Sequence, residues 1–304
     1  MNTSQASIEE LFPNFVTAKK AQGISEKTLH TYESHFHCIS KHFDLSTPIG
    51  ELSEDHVNQM IVSMRDSGLA HNSISSYMRV FRTFIGWCRM RGYTRLQIRN
   101  TKDKETLKDT YTDEELRLLL KRPKADCDFT EYRNWVIINL LMNCGCRAST
   151  IRNIRNSDVD LLSHQILFRH TKTGKLQAIP LCSSMRAILQ EYMAIRGGGS
   201  SDYLFPNECG DMLQEDAFRN AIHRYNKRRG VEKTSLHLFR HTFARKFLVD
   251  CGGDAFTLQR LLGHSTLAMT KHYCAIYDAD ISKNFDRFSP LAQLTCSKGK
   301  IKMR

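Results

Sequence analysis

Apolar and polar positions in the first part of the chain follow the period of helices. Between residues 72 and 88 the apolar side chains recur in steps of three and four, which places them in one buried stripe. Ser25 and Ser53 stand where two further helices would begin, because a serine side chain can accept a hydrogen bond from a first-turn N–H. With another helix over residues 8–22, the pattern predicts a small all-helical domain at 1–92.

A second, larger domain is predicted after a break in this pattern. Residues 93–111 are polar and charged with little apolar periodicity, which is typical of a linker. Thr112 then begins a capping box, which predicts the first helix of a domain at 112–288. This domain is expected to be mostly helical, with two strands at 165–170 and 176–181 that form a hairpin. The predicted fold class is therefore mainly α with a small β-hairpin.

The chain is basic. Its 304 residues carry a formal net charge of +12, and most of the surplus lies after residue 111. Residues 289–304 are predicted to be a basic, disordered tail, since their final segment contains lysine and arginine but no acid. A basic surplus of this size favours a polyanionic partner, and nucleic acid is the expected one.

The sequence lacks the features that are typical of secreted and membrane proteins. It has no apolar run of roughly 18 residues, and its polar, acidic N-terminus has no basic n-region. The ten cysteines are scattered, and Cys88, Cys144 and Cys251 lie inside or beside apolar runs, so small buried thiols are predicted. We therefore expect a cytoplasmic, reduced protein with no membrane association.

Two arginines, two histidines and one tyrosine suit chemistry on a phosphodiester. Arg147 follows Asn-Cys-Gly-Cys, His237 and Arg240 share the segment His-Leu-Phe-Arg-His, and His264 precedes Tyr273 near the C-terminus. Attack on a phosphodiester requires an in-line nucleophile, positive donors for the phosphoryl oxygens and an acid for the leaving alkoxide. Arginine suits the second role because its fork binds two phosphate oxygens and keeps its proton. Each side chain alone has an ordinary structural explanation, so the hypothesis rests on their joint occurrence.

Four segments make the chain resemble the tyrosine recombinase family, also called the phage integrase family, over nearly its whole length. The segments are Gly145-Cys-Arg147-Ala-Ser149, Lys172-Thr-Gly-Lys175, His237-Leu-Phe-Arg240-His241-Thr-Phe-Ala244, and Leu262-Gly-His264 through Tyr273. The resemblance implies a helical core-type DNA-binding domain, a linker and an α-rich catalytic domain. It also implies a site-specific recombinase that cuts and rejoins DNA strands, either to integrate or excise a mobile element or to resolve dimers.

The resemblance further implies a role for each polar residue of these segments. Arg147 and Arg240 would clamp the scissile phosphate, and His264 would hydrogen-bond a phosphoryl oxygen. Tyr273, on a short helix, would attack and become a 3′-phosphotyrosine, a bond that a 5′ hydroxyl can reverse without ATP. His237 would assist as an acid, a base or an orienting group.

The acid that protonates the departing 5′ oxygen is expected on the turn between the two strands. Lys172 is the favoured residue from the family spacing. Lys175 lies on the same turn and remains the alternative.

Two features leave alternatives open around this site. Thr150 departs from the family pattern, in which a glutamate commonly follows Arg-x-Ser, so the support of Arg147 is not defined by the sequence. His237 and His241 are four residues apart and could share a helix face in a zinc site. Because the arginines and the lysine supply the positive charge, we expect neither a metal ion nor a cofactor.

The implied partners are double-stranded DNA and further copies of this chain. Strand exchange between two duplexes cuts four strands, and each chain has one Tyr273, so the resemblance implies a homo-tetramer on a Holliday junction. The segment 278–288 would form the helix that docks onto a neighbouring subunit, and accessory DNA-bending or directionality proteins are further candidate partners. Two other functions stay open: a type IB topoisomerase-like nicking-closing enzyme, and a DNA-binding regulator without catalysis.

Overall fold

The computed structural model describes residues 5–99, 109–171 and 174–274. The chain divides into two compact units, Met1–Thr106 and Leu107–Arg304. This division falls inside the segment 93–111. The assignment of a DNA-binding role to 1–92 and of a catalytic role to 112–288 remains a prediction, and the tail 289–304 lies outside the described residues.

The described part of the first unit consists of helices, which are α1 (Ile8–Ala21), α2 (Glu26–Ser40), α3 (Glu54–Asp66) and α4 (His71–Met90). Ser25 and Ser53 cap α2 and α3 as predicted, each accepting a hydrogen bond from a backbone N–H three residues later. Helix α4 begins at His71, before the apolar stripe predicted between residues 72 and 88. It follows Ala70, which makes no side-chain cap hydrogen bond.

Aromatic side chains fill the core of the first unit. Phe84 on α4 meets the rings of Phe15 on α1 and Phe36 on α2 edge-on, with centroids 5.6 and 5.5 Å apart. All three rings are buried. Edge-to-face pairs of this kind add to the free energy that apolar burial alone provides.

The described part of the second unit is mainly helical with one small sheet. In chain order its elements are α5 (Asp113–Leu120), α6 (Phe129–Cys144), α7 (Ala148–Arg152), a 3-10 turn (Asn156–Asp158), β1 (Val159–Asp160), β2 (Gln165–Phe168), β3 (Gln177–Pro180), α8 (Ser183–Arg196), α9 (Glu215–Arg228), α10 (Leu236–Val249), α11 (Ala255–Leu262) and α12 (Leu267–Cys274). The predicted fold class is confirmed.

The sheet is antiparallel with the order β1-β2-β3. Leu167 pairs with Ala178 in the hairpin, and Val159 of the short strand β1, which the sequence analysis missed, pairs with Ile166. Ile166 and Ile179 point into the core, whereas Ala178 is exposed. The strands therefore bury one face and expose the other.

Helix α6 is the centre of this unit's core. It is buried on nearly all sides, and α10 packs against it. Tyr111 ties the start of the unit to α10, because its backbone N–H donates to Thr242 Oγ1 over 2.9 Å. Its hydroxyl also accepts a hydrogen bond from Asn226 on α9. Helix α10, which carries three of the residues discussed below, is therefore anchored on several sides.

The cysteines correspond only in part to the prediction. Cys88 and Cys144 are buried, as expected. Cys251 is exposed, because it lies in the turn that follows the end of α10 rather than on an apolar helix face. In the described part of the chain, no helix is both long and apolar enough to cross a membrane.

Candidate active site

The turn after α6 presents the first arginine. The helix ends at Gly145, whose backbone is left-handed with φ +59°, a conformation that glycine adopts at little cost. Arg147 then stands in extended conformation at the start of α7, and its side chain is half-buried. Thr150, at the position where the family commonly has an acid, is buried and donates its backbone N–H to the carbonyl of Arg147.

Arg240 is the most tightly held charged side chain of the site. It lies on α10 with 5 % of its surface exposed. Its Nη1 donates to the carbonyl of Gly145 over 2.9 Å, and its Nη2 donates to the carbonyl of Leu262 over 3.0 Å and contacts His264 Nε2 at 2.7 Å. These bonds join the end of α6 and the end of α11 to one guanidinium.

Within the described ranges, no carboxylate is among the main electrostatic influences on Arg240. Burial lowers the pKa of this guanidinium, and the nearby charge of Arg147 lowers it further, while Tyr273 and Cys146 act in the opposite direction. A buried cation that faces another cation is costly unless an anion enters the site. The arrangement therefore favours binding of an anionic group between the two arginines.

The hydrogen bonds of His264 define its tautomer. A guanidinium can only donate, so His264 Nε2 accepts from Arg240 and the proton of the neutral ring lies on Nδ1. Nδ1 then donates to Thr270 Oγ1 over 2.9 Å, and Thr270 is fully buried. The imidazole is fixed by the turn at Gly263, whose φ is +62°.

Tyr273 lies on α12 with its hydroxyl inside this cluster. Only 6 % of the side chain is exposed, and its Oη lies 2.9 Å from His241 Nδ1. Its ring stacks on that of His264 with an interplanar angle of 12°. Burial raises the pKa of the phenol, whereas the charge and hydrogen bonding of Arg240 and the charge of Arg147 oppose that shift. A phenol beside two arginines is stabilised as it loses its proton.

The structure brings together four of the six predicted site residues, namely Arg147, Arg240, His264 and Tyr273. His237 is exposed on the first turn of α10, one turn before Arg240 and His241. Lys172 lies outside the described residues. Whether these side chains carry out the roles that the resemblance implies remains a prediction.

The hairpin that carries the lysines is tied to the rest of the site through Gln177 on β3. Its Nε2 donates to the carbonyl of Leu261 over 2.9 Å, and it also donates to the carbonyl of Arg260. Both carbonyls belong to the last turn of α11. Lys175, on the same hairpin, is exposed.

Sequence reasoning gave too little weight to two residues of this cluster. The sequence analysis named His241 only within the segment of Arg240 and in the zinc alternative, and it did not include Thr270. His241 directly follows Arg240, and Thr270 lies one helical turn before Tyr273, so their positions in the chain were the available signal. Within the described ranges, no group of three or more His, Cys, Asp or Glu side chains that could hold a metal ion occurs.

Comparison with known proteins agrees with this arrangement. Residues 110–280 match the phage integrase family. The match covers more than half of the chain, which therefore belongs to the phage integrase family of tyrosine recombinases, enzymes that cleave and rejoin DNA strands. The predicted family and enzyme class are confirmed.

Individual relatives align over most of their length. Tyrosine recombinase XerC of Thermodesulfovibrio yellowstonii is 26 % identical over 92 % of this chain and 96 % of that protein. A Tn1549 transposon integrase, solved in complex with a circular intermediate DNA, aligns with a TM-score of 0.76 at 17 % identity, covering 93 % of this chain and 100 % of that one. A lambda integrase tetramer bound to a Holliday junction aligns with a TM-score of 0.71 at 19 % identity, covering 88 % and 77 %. These structures share the fold of this chain.

Proposed function

We propose that this chain is a site-specific DNA recombinase in which Tyr273 forms a covalent 3′-phosphotyrosine link to the cut strand. The observation that carries the proposal is the hydrogen-bonded cluster around the Tyr273 hydroxyl. It joins a phenol, a fixed imidazole and a buried guanidinium that has no carboxylate ion-pair partner among the described residues. An entering phosphodiester would supply the anion that this cluster lacks.

Each side chain has a defined part in the proposed reaction. Arg147 and Arg240 bind the non-bridging oxygens of the scissile phosphate. Once the phosphate displaces the Arg240 contact, the His264 ring takes up a proton at Nε2 and donates a further hydrogen bond from it. Tyr273 Oη bonds to phosphorus as the bond from phosphorus to the 5′ oxygen breaks. Lys172 gives the 5′ oxygen its proton, with Lys175 as the alternative donor.

The reverse reaction rejoins DNA with the same groups. A 5′ hydroxyl attacks phosphorus, the bond to Tyr273 breaks, and the phosphodiester re-forms without ATP, because the tyrosyl ester keeps the energy of the original bond. His237, one turn before Arg240 on α10, assists as an orienting or acid–base group. Neither a metal ion nor a cofactor takes part in this proposal.

Assembly on double-stranded DNA as a homo-tetramer is part of the proposal. Its support is the likeness in fold to the lambda integrase tetramer bound to a Holliday junction. The segment 278–288, proposed as the helix exchanged between subunits, lies outside the described residues. The biological task is integration or excision of a mobile element, or resolution of dimers, in the cytoplasm, and accessory DNA-bending or directionality proteins would set its direction.

Covalent trapping on a nicked suicide substrate tests the proposal. The wild-type chain should form a protein–DNA adduct at a 3′ end, and Tyr273→Phe should bind the same DNA without forming it, because only the phenolic oxygen is lost. Tyr225→Phe is the matched control, since it removes another buried phenol whose hydroxyl donates to the carbonyl of Leu119. Sequencing of the trapped DNA would identify the target site.

Two results would contradict the assignment. An adduct formed by Tyr273→Phe would show that another side chain is the nucleophile. Cleavage and rejoining without resolution of a Holliday junction would instead indicate a topoisomerase-like enzyme.

A further inference from the structure

We infer that His241 is the side chain that takes the phenolic proton of Tyr273 during cleavage and returns it during rejoining. The inference rests on the proposed function, in which Tyr273 is the nucleophile. Its basis is a direct contact, since His241 Nδ1 lies 2.9 Å from Tyr273 Oη. The family resemblance gave this kind of role to His237 instead.

The surroundings of the phenol require a proton acceptor within the protein. Tyr273 has only 6 % of its surface exposed, so bulk water has little access to its hydroxyl. Burial also raises the pKa of this phenol, which makes loss of the proton harder at neutral pH. Arg240 and Arg147 stabilise the phenolate that forms, but a guanidinium has no lone pair with which to accept a proton.

The imidazole of His264, which also lies beside the phenol, already uses both of its ring nitrogens in hydrogen bonds. His264 accepts from Arg240 at Nε2 and carries its own proton on Nδ1, which donates to Thr270. A neutral imidazole has one accepting nitrogen, so His264 has none left for Tyr273 in this arrangement. Among the side chains that the structure describes, His241 Nδ1 is an imidazole nitrogen at hydrogen-bond distance from the phenol.

The proton balance of both steps is then complete. In cleavage, the proton moves from Tyr273 Oη to His241 Nδ1 and Oη bonds to phosphorus. The bond to the 5′ oxygen breaks with its electron pair on that oxygen, which takes a proton from Lys172, the acid of the proposed function. Before this step His241 is neutral with its proton on Nε2, and afterwards it is an imidazolium. In rejoining, the 5′ hydroxyl bonds to phosphorus and returns its proton to Lys172, while the bond from Oη to phosphorus breaks and the imidazolium returns its proton to Oη.

The position of His241 on α10 makes this role compatible with that of Arg240. The two residues are consecutive, so their side chains leave the helix about 100° apart. Both side chains therefore act on the Tyr273 hydroxyl, Arg240 through its guanidinium and His241 through its imidazole. One helix would therefore supply both the phosphate clamp and the base.

The test combines a change at His241 with a more acidic nucleophile. His241→Gln keeps a polar side chain of similar length but cannot act as a base, and we expect single-turnover cleavage of the suicide substrate to slow by about 10²–10⁴-fold. Replacement of Tyr273 by 2,3,5-trifluorotyrosine makes the phenol more acidic, because the fluorines lower its pKa, with little change in size. In the His241→Gln background this replacement should restore most of the lost rate, whereas in the wild-type background it should not accelerate cleavage.

The matched control is His237→Gln, one turn away on the same helix. The fluorinated phenol should not rescue the slow cleavage of His237→Gln, because on this inference His241, and not His237, removes the phenolic proton. Binding of the DNA site by each variant, measured by fluorescence anisotropy, shows that the fold is intact. His241→Asn serves as a second variant if the glutamine variant loses DNA binding.

The outcomes separate this inference from the proposed function. No adduct from the wild-type chain would overturn the proposed function itself. A wild-type adduct together with an unchanged rate for His241→Gln would overturn only the inference, as would a slow variant that the acidic phenol fails to rescue. Rescue of His237→Gln in place of His241→Gln would assign the base to His237.

Discussion

The glycine at the end of α6 should tolerate no side chain, and Gly145→Ala makes this a quantitative prediction. A Cβ built at this position would lie 2.9 Å from Phe243 Cγ and 2.9 Å from Leu262 Cδ2, with an even closer approach to Phe243 Cδ1. These distances are well inside van der Waals contact. Phe243 and Leu262 are both buried, so neither can move aside into solvent.

Two penalties contribute to the expected loss of stability. An alanine held in the left-handed region, here at φ +59°, costs roughly 1–2 kcal/mol relative to glycine. Overpacking of a well-filled core costs about 1–3 kcal/mol more. We therefore expect Gly145→Ala to lower the free energy of unfolding of the second unit by roughly 2–5 kcal/mol, the sum of these two ranges.

Gly230→Ala is the matched control. Gly230 also has a positive φ, +75°, but nothing lies within 4 Å of a Cβ at that position, so only the backbone penalty applies. The measurement is denaturant unfolding followed by tryptophan fluorescence in a Trp87→Phe background, which leaves Trp135 of α6 as the reporter. Equal losses for the two alanine variants would refute the steric argument and show that Phe243 and Leu262 can yield.

Two further predictions concern the charged groups. Arg240→Lys should reduce the cleavage rate by about two to three powers of ten with DNA binding largely kept, because one ammonium nitrogen cannot take the places of both Nη1 and Nη2, which reach Gly145 and Leu262, and also bind a phosphate as a fork; near-normal single-turnover cleavage would remove Arg240 from the clamp. Lys172→Ala should cleave ordinary DNA slowly but a substrate with sulfur at the leaving 5′ position at nearly the wild-type rate, because a thiolate leaves without an acid. Rescue of Lys175→Ala alone would assign the acid to Lys175, and rescue of neither variant would place the proton donor elsewhere.

Local chemistry made part of the fold predictable from the sequence. Helix α8 (Ser183–Arg196) lies between two signals that the sequence shows, Pro180 shortly before it and Gly197 directly after it. The capping box at Thr112 is also found. The start of α4 is not marked in the sequence, because Ala70 provides no side-chain signal, and β1, with two residues, is too short to show an alternating pattern.

The candidate site was predictable in composition but not in its contacts. From the motifs and their order along the chain, Arg240, His264 and Tyr273 could be predicted as site residues. The contact between His241 and Tyr273 joins residues 32 positions apart, and no local pattern encodes such a distance. The tautomer of His264 likewise depends on a buried threonine that the motif does not include.

The way Arg240 is held has a consequence for how substitutions are tolerated. Two of its hydrogen-bond acceptors are peptide carbonyls, those of Gly145 and Leu262. Every amino acid has the same backbone carbonyl, so a substitution at either position keeps the acceptor. An alanine substitution at 262 would therefore change only the packing of that side chain. Position 262 can therefore accept other apolar residues of similar volume while the guanidinium keeps its place. What must be kept is the backbone conformation at these positions, and the left-handed conformation at position 145 is one that glycine adopts without strain.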